Sequence, residues 1–229
     1  MRYTDRARGK VARKQEDGEN VDGTEVVLGP GDVKKALDKV DLTGDEAVRR
    51  AALVARVSRK FPLWRSRLVA GFSLRLYGLG SKKDLATSFA SWAFPHDPVL
   101  HIEGYMVGDA LTPSLLAVCE RIFRIPSFLL PPRSPEFLAH FVAQAFAVAG
   151  RYLTVVVHSA DGPGMSSPAA VEVLTILAKA PRIRLIVTED SFSADLRFTL
   201  QQHHEGAWVM EEATTLEPFT IERQHTALA

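Results

Sequence analysis

The stretch Tyr152-Leu153-Thr154-Val155-Val156-Val157 is apolar on both of its alternating faces. A strand of that kind has no side to show to water, so it belongs inside a sheet covered above and below. Parallel strands meet the requirement, because each crossover lays a helix on one face. The remaining apolar pattern fits. Leu74 and Leu76, with Phe72 before them, alternate with Ser73 and Arg75, and Val99-Leu100-His101-Ile102 ends at Gly104. Ile183-Arg184-Leu185-Ile186-Val187 and Ala207-Trp208-Val209-Met210 complete the set, with Leu196, Phe198 and Leu200 in a short element between them. Helical spacing fills the gaps, in Leu85, Ala86, Phe89 and Ala90, then Leu115, Leu116, Val118, Cys119 and Ile122. Phe137, Leu138, Phe141, Val142 and Phe146 follow, and then Val171, Leu174, Ile176 and Leu177. The expected fold class is α/β, a parallel five-stranded sheet with helices on both faces.

Helix boundaries are signalled by caps. Thr43 with Glu46 has the form of a capping box, opening a helix through Val48, Ala51, Ala52 and Ala55. Phe61-Pro62-Leu63-Trp64 starts a short helix carrying Leu68 and Val69 towards the strand at Ser73. Thr112-Pro113, Ser134-Pro135 and Ser167-Pro168 each pair a cap with proline at the first helical position, and Gly150 closes a helix. Residues 125–134 are proline-rich and irregular.

Composition bounds the rest. The 229 residues suffice for one large domain, and 46% apolar residues are ample for a core. A net charge of +1 gives no global attraction to nucleic acid, so such contact needs a local patch. The single cysteine, Cys119, excludes an internal disulfide and lies in an apolar helical pattern. No stretch is long and apolar enough to span a membrane. Residues 1–31 are polar, with Arg6, Arg8, Lys10, Arg13 and Lys14 ahead of Glu16, Asp17, Glu19 and Asp22. So few large apolar side chains cannot offset the entropy of ordering, and a disordered arm is expected. Residues 32–70 form a helical lead-in, 71–222 the α/β domain and 223–229 a tail.

The chemistry centres on the strand, glycine turn and helix start at Ser73-Leu74-Arg75-Leu76-Tyr77-Gly78-Leu79-Gly80-Ser81-Lys82-Lys83-Asp84-Leu85. That is the layout of a phosphate-binding loop. Gly78 and Gly80 suit the turn, and Ser81 or Asp84 can cap the helix. A working loop reads Gly-x-x-x-x-Gly-Lys-Ser/Thr, with backbone N–H groups on the phosphates and the hydroxyl on magnesium. Counted from Gly78, the second glycine falls on Lys83. Counted back from Lys83, the glycine position holds Lys82 and the hydroxyl position Asp84. A carboxylate ~4 Å from a phosphate opposes it by about 4 kcal/mol at an effective dielectric near 20, roughly cancelling Lys83.

A P-loop ATPase also needs an acid pair at the end of a neighbouring strand, to hold magnesium and position water. After Val155-Val156-Val157 those places hold His158 and Ser159, and Asp161 lies on the Asp161-Gly162-Pro163-Gly164 turn. Thr188 ends the next strand, where a terminal-phosphate sensor would sit. Two altered motifs point to a fold that has given up hydrolysis. His203-His204 reads as a solvated pair and Glu211-Glu212 as a solvated strand end.

The order of these motifs resembles the origin recognition complex subunit 2 family. Tyr77-Gly78-Leu79-Gly80-Ser81-Lys82-Lys83-Asp84-Leu85 is similar to that family's replacement for a phosphate loop. Ile102-Glu103-Gly104-Tyr105 with Gly108 resembles its Asn-Gly-Tyr-Phe-Pro-Gly segment, with Glu103 for Asn and Val107 for Pro. His158-Ser159-Ala160-Asp161 resembles its His-Asn-Leu-Asp turn. Glu212-Ala213-Thr214-Thr215-Leu216-Glu217-Pro218-Phe219 resembles its Glu-Thr-Thr-Thr-x-x-Pro-Tyr segment.

The resemblance implies a nuclear, non-catalytic AAA+-like subunit with degenerate nucleotide motifs, no cofactor and no metal. It would scaffold a replication-initiation complex on DNA beside other subunits, subunit 3 above all. It further implies that a C-terminal winged helix would begin where the chain stops at Ala229, so either a divergent or truncated member is expected or another chain supplies that module. The loop from Gly78 to Asp84 is then structural, or a contact for a neighbouring subunit or DNA phosphate through Lys82 and Lys83, and the arm residues Arg6, Arg8, Lys10, Arg13 and Lys14 are either a solvated tail or further phosphate contacts. Two other readings stand beside it. One is a divergent ATPase using Lys83, with Asp84 on magnesium. The other is a stand-alone DNA-binding module working through the basic arm.

Overall fold

The computed structural model describes residues 43–126, 129, 134–191 and 197–226. The arm residues Arg6, Arg8, Lys10, Arg13 and Lys14, the Thr43 side chain and its capping box, Leu196 and most of 125–134 lie outside the described set.

The elements alternate as the periodicity requires. Helices α1 (Thr43–Ser58) and α2 (Phe61–Val69) lead into β1 (Ser73–Tyr77) and α3 (Lys83–Ala93). Then come β2 (Val99–Glu103), α4 (Leu111–Arg121), α5 (Pro135–Ala149) and β3 (Leu153–His158). A short 3-10 turn (Pro163–Met165) precedes α6 (Pro168–Lys179), β4 (Ile183–Glu189), α7 (Leu200–Glu205), β5 (Trp208–Glu212) and α8 (Thr220–Thr226). The sheet is parallel, in the order β2-β3-β4-β1-β5. Every residue of β3 is buried, as its doubly apolar sequence demands. Val155 and Val157 join Ile102, Leu185 and Val187 in a core under α4, α5 and α6. Val156 faces the other way, with Leu74, Leu76 and Ile186, against Trp64, Leu68, Phe89 and Ala90 of α2 and α3.

Local geometry corrects several expectations. Helix α4 is capped by Asp109, whose Oδ1 accepts the amides of Leu111 (2.9 Å) and Thr112 (3.2 Å), so Thr112 is already helical. Ser134 does cap α5, accepting the Phe137 amide at 3.2 Å, and Gly150 ends it in the left-handed region. Helix α1 turns Val57 inwards and leaves Val48, Ala51, Ala52 and Ala55 exposed, the opposite of the face that their spacing suggested. Val69 and Phe72 are exposed and Arg75 is wholly buried, because β1 lies between β4 and β5 with both faces covered. Cys119 is buried in the core. Helix α8 occupies part of the segment read as a tail. Among the described residues no helix is long and apolar enough to cross a membrane.

Candidate functional site

The carboxyl ends of the parallel strands gather the loop after β1, the turn after β3 and the segment after β5 at one edge of the sheet. Gly78 (φ 134°) and Gly80 (φ 89°) carry the first turn in backbone conformations that side chains resist. They also lie under the segment after β5. A Cβ on Gly78 would stand 2.6 Å from Thr214 Oγ1, and one on Gly80 would stand 2.5 Å from the Leu216 amide nitrogen. The Thr215 and Leu216 amides donate to the Leu79 carbonyl, at 2.9 and 3.1 Å.

The loop is built around a cation. Lys82 is 1% exposed, and its ammonium donates to the carbonyls of Gly78 and Gly80, both at 2.8 Å. Its third partner is Asp190, just past β4, with Nζ 2.7 Å from Oδ1. A phosphate loop turns N–H groups inwards to hold an anion. Here carbonyls of the two glycines point at an internal ammonium, so the polarity is reversed. Two donors of Lys82 go to the glycine carbonyls and its charge is paired with Asp190, so the reading in which it contacts an external phosphate gives way to the structural one.

Lys83 goes elsewhere. It donates to Glu103 (3.3 Å) and to the Tyr105 hydroxyl (2.5 Å), and its ammonium lies 4.8 Å from the Tyr105 ring centre. Tyr105 in turn donates to Glu103. Burial pulls the lysine pKa down, but the Tyr105 hydrogen bond and the Glu103 charge outweigh it and raise the pKa above the ordinary value. For Glu103, burial is outweighed by the Tyr105 hydrogen bond and the Lys83 charge, and its pKa falls. Tyr105 is raised by burial and by its bond to Glu103. Ser81 does not cap α3. Its hydroxyl donates to Glu222 of α8 and accepts the Lys83 amide at a long 3.4 Å, while Lys82 holds the cap position with no side-chain cap bond. Asp84 is exposed in the first turn of α3.

At the end of β3, His158 is 1% exposed and stacks on His101 of β2, with Nε2 3.0 Å from His101 Nδ1. Burial, then the neighbouring His101 and Lys83, push His158 down to about 4. Burial lowers His101 as well. Ser159, at φ 48°, passes its amide to Thr188 Oγ1 (2.9 Å) and its hydroxyl to Asp190 Oδ2 (2.8 Å). Thr188 is thus spent on the backbone of its neighbour. Asp161 accepts the Asp190 amide, at 3.2 and 3.1 Å, and the Ser191 amide at 2.5 Å, so it ties the end of β4 rather than its own turn. Asp190 therefore links the two altered motifs, and sequence reading missed it because the residue comes 29 positions after Asp161.

Two further buried pairs were hidden in the sequence. Arg75 donates to both oxygens of Glu189, at 2.7 and 2.8 Å from Nη2, and its guanidinium lies 4.5 Å from the Phe198 ring centre. Glu211 is no solvated strand end. It is 9% exposed and paired with Lys60 and Arg67. His203 packs beside Phe198 at 5.5 Å between ring centres.

A pocket of about 340 Å³ opens beside the loop, between α1, the start of α3 and the segment after β5. Ser81, Asp84, Thr215, Glu217, Ile221 and Glu222 are among its lining residues. Lys83 also lines it, with its ammonium committed to Glu103 and Tyr105. Such a wall repels a polyphosphate. Among the described residues no group of three or more His, Cys, Asp or Glu side chains could hold a metal ion.

Residues 49–213 match the origin recognition complex subunit 2 RecA-like domain. The chain belongs to this family. It is 29% identical over 176 residues to origin recognition complex subunit 2 of Drosophila melanogaster, covering 75% of this chain and 27% of that protein. To the origin of replication complex subunit 2 of Oryza sativa subsp. indica it is 24% identical over 187 residues, covering 75% of this chain and 49% of the relative. The chain thus spans less than half the length of these curated relatives. Among solved structures it is similar to a chain of the Drosophila ORC bound to DNA, with a TM-score of 0.68 and 26% identity over 76% of this chain and 98% of that one. A chain of Drosophila ORC bound to AT-rich DNA and Cdc6 gives a TM-score of 0.72 at 24% identity, covering 80% of this chain and 62% of that one. The Aeropyrum pernix ORC1 protein in complex with DNA shares the fold, at a TM-score of 0.51 and 13% identity over 72% of this chain and 44% of that one. The five-stranded parallel sheet is thus the RecA-like sheet of this family.

Proposed function

We propose that this chain is a non-catalytic AAA+-like subunit of a nuclear origin recognition complex, holding its neighbours on DNA for replication initiation. The observation that carries the non-catalytic part is the Lys82 ammonium, bonded to the Gly78 and Gly80 carbonyls inside the loop and paired with Asp190 at the end of β4. A triphosphate would have to expel a buried ion pair and then face inward carbonyls, with Asp84 and Glu217 beside it. Family membership supports the assembly role. Its partners are the other subunits of the complex, subunit 3 above all, and DNA is reached through the assembled ring. The loop from Gly78 to Asp84 is a degenerate phosphate loop kept as structure. His158, Ser159 and Asp161 are the degenerate acid motif, kept to brace the ends of β3 and β4.

Two measurements test this reading. Affinity purification of the tagged chain from its own cells is expected to recover other complex subunits in stoichiometric amounts. Equilibrium binding of labelled ATP to the purified chain is expected to be absent with or without magnesium. Recovery with no other subunit would defeat the assembly role. Micromolar, magnesium-dependent binding that disappears in Lys83→Ala would establish the ATPase alternative instead.

A further inference from the structure

Residues 47–83 contain ten lysines and arginines and no aspartate or glutamate. The fold consumes most of these cations. Arg75 and Lys82 are buried in ion pairs, Lys83 is tied to Glu103, and Lys60 and Arg67 share Glu211. Arg65 donates to the Ala93 carbonyl at 3.1 Å. Arg50 is partly buried beside Glu46. What remains on α1 and in the turn after it is Arg49, Arg56 and Arg59. Arg56 and Arg59 are exposed. Among the described residues Arg49 meets only Asp45, at 3.4 Å, with both side chains mostly in water (79% and 87% exposed), a pairing that contributes little.

Their placement on the helix makes a surface. Arg49 and Arg56 are seven residues apart, two turns and about 10.5 Å along one line of α1. Ala52 lies between them, and Ala51 and Ala55 beside them, all exposed. Among the described residues the helix buries only Val57 fully, and most of its circumference meets no other described element. A protein partner is normally anchored by large apolar side chains at the centre of its interface. This face offers alanines and one valine, Val48, with guanidinium groups along it. Such a smooth cationic ridge matches a regular polyanion, and guanidinium forks pair well with phosphate oxygens.

We propose that the outer face of α1, through Arg49, Arg56 and Arg59, is a direct contact for the phosphate backbone of duplex DNA. This rests on the reading above in one respect, that the chain works on DNA, and it moves the contact from Lys82 and the arm to the folded domain. Each phosphate neutralised contributes about 0.9 to the slope of log affinity against log salt.

The test is fluorescence anisotropy of a labelled duplex across a salt series, with the full chain and with the reconstituted complex. The triple variant R49A/R56A/R59A is expected to flatten the slope by roughly 2 to 3 in both. Replacement of the same three residues by lysine should keep most of the slope. Unchanged circular dichroism and unchanged subunit recovery show that fold and assembly persist. A slope identical to that of the parent overturns the proposal, as does a parent that shows no salt-dependent binding. Loss of subunit recovery with DNA binding intact would assign the ridge to an acidic protein partner and equally overturn it. In the first two outcomes the assembly role still stands on its own purification result.

Discussion

The loop edge of the sheet and the outer face of α1 are both rich in charge, and they treat it in opposite ways. At the edge, Lys82 is enclosed by two carbonyls and Asp190, Lys83 by Glu103 and Tyr105, and Asp161 by the Asp190 and Ser191 amides. On α1, Arg56 and Arg59 stay in water, and Arg49 has only an exposed i−4 carboxylate. Charges that neutralise one another inside fix a shape and have nothing left for a ligand. Charges left in water add little to stability and keep their full attraction for an outside partner. In this fold the charge at the loop edge serves the architecture, and the charge on α1 faces water.

The sharpest way to break that contrast is Lys82→Met. It keeps a long side chain in the cage while removing the ammonium. The Gly78 and Gly80 carbonyls then lose their donor and the Asp190 carboxylate its counter-charge. Removing one partner of a buried ion pair costs about 3–5 kcal/mol. Asp190 is 25% exposed and can recover some hydration, so the lower end of that range is expected in urea unfolding. A loss below about 1 kcal/mol would mean that water replaces the ammonium freely, and the loop could then open to ligands.

How much of this was legible beforehand follows from how local each cause is. The doubly apolar Leu153–His158 strand dictated the covered parallel sheet, because period and burial are written in consecutive residues. Gly78 and Gly80 announced the turn for the same reason. The Lys82 cage could not be read, since its anion arrives from the end of β4, 108 residues later. Arg75 with Glu189, and Glu211 with Lys60 and Arg67, are hidden in the same way. The α1 face was misjudged because alanine satisfies either side of a helix. Only the position of Val57 against the helices below it settles the orientation. The carboxylate-free run over residues 47–83 is legible in the sequence, where the denser basic run of the arm outweighs it.

His158 sharpens the comparison with a pH axis. Its pKa in the folded chain is about 4, against about 6.5 when unfolded, because burial and the neighbouring His101 and Lys83 disfavour its proton. Between those values the unfolded chain binds more protons than the folded one. The stability due to the neutral imidazole is therefore fully present above about pH 6.5 and is lost as pH falls towards 4. A difference of that size corresponds to at most about 3.4 kcal/mol. The stability gap between the parent and His158→Gln, followed by urea unfolding from pH 7 to 4.5, should narrow as pH falls. A gap that stays level across that window would show that His158 takes up its proton without resistance. His101, which faces the same stack, is lowered by burial too and adds to the slope in both proteins.

The smallest expected effect lies on the other side of the contrast. R49A/R56A/R59A removes three exposed guanidinium groups, of which one has an ion pair, at 3.4 Å. Exposed pairs of this kind contribute from nothing to about 1 kcal/mol. Alanine is also the better helix former by a few tenths of a kcal/mol at each helical site. The two terms oppose, so the stability of the triple variant should lie within about 0.5 kcal/mol of the parent. That near-neutrality gives the DNA experiment its meaning. A stability loss of about 2 kcal/mol or more would place these arginines in the fold after all, and would erase the distinction between an edge that spends its charge on itself and a helix that keeps it for a partner.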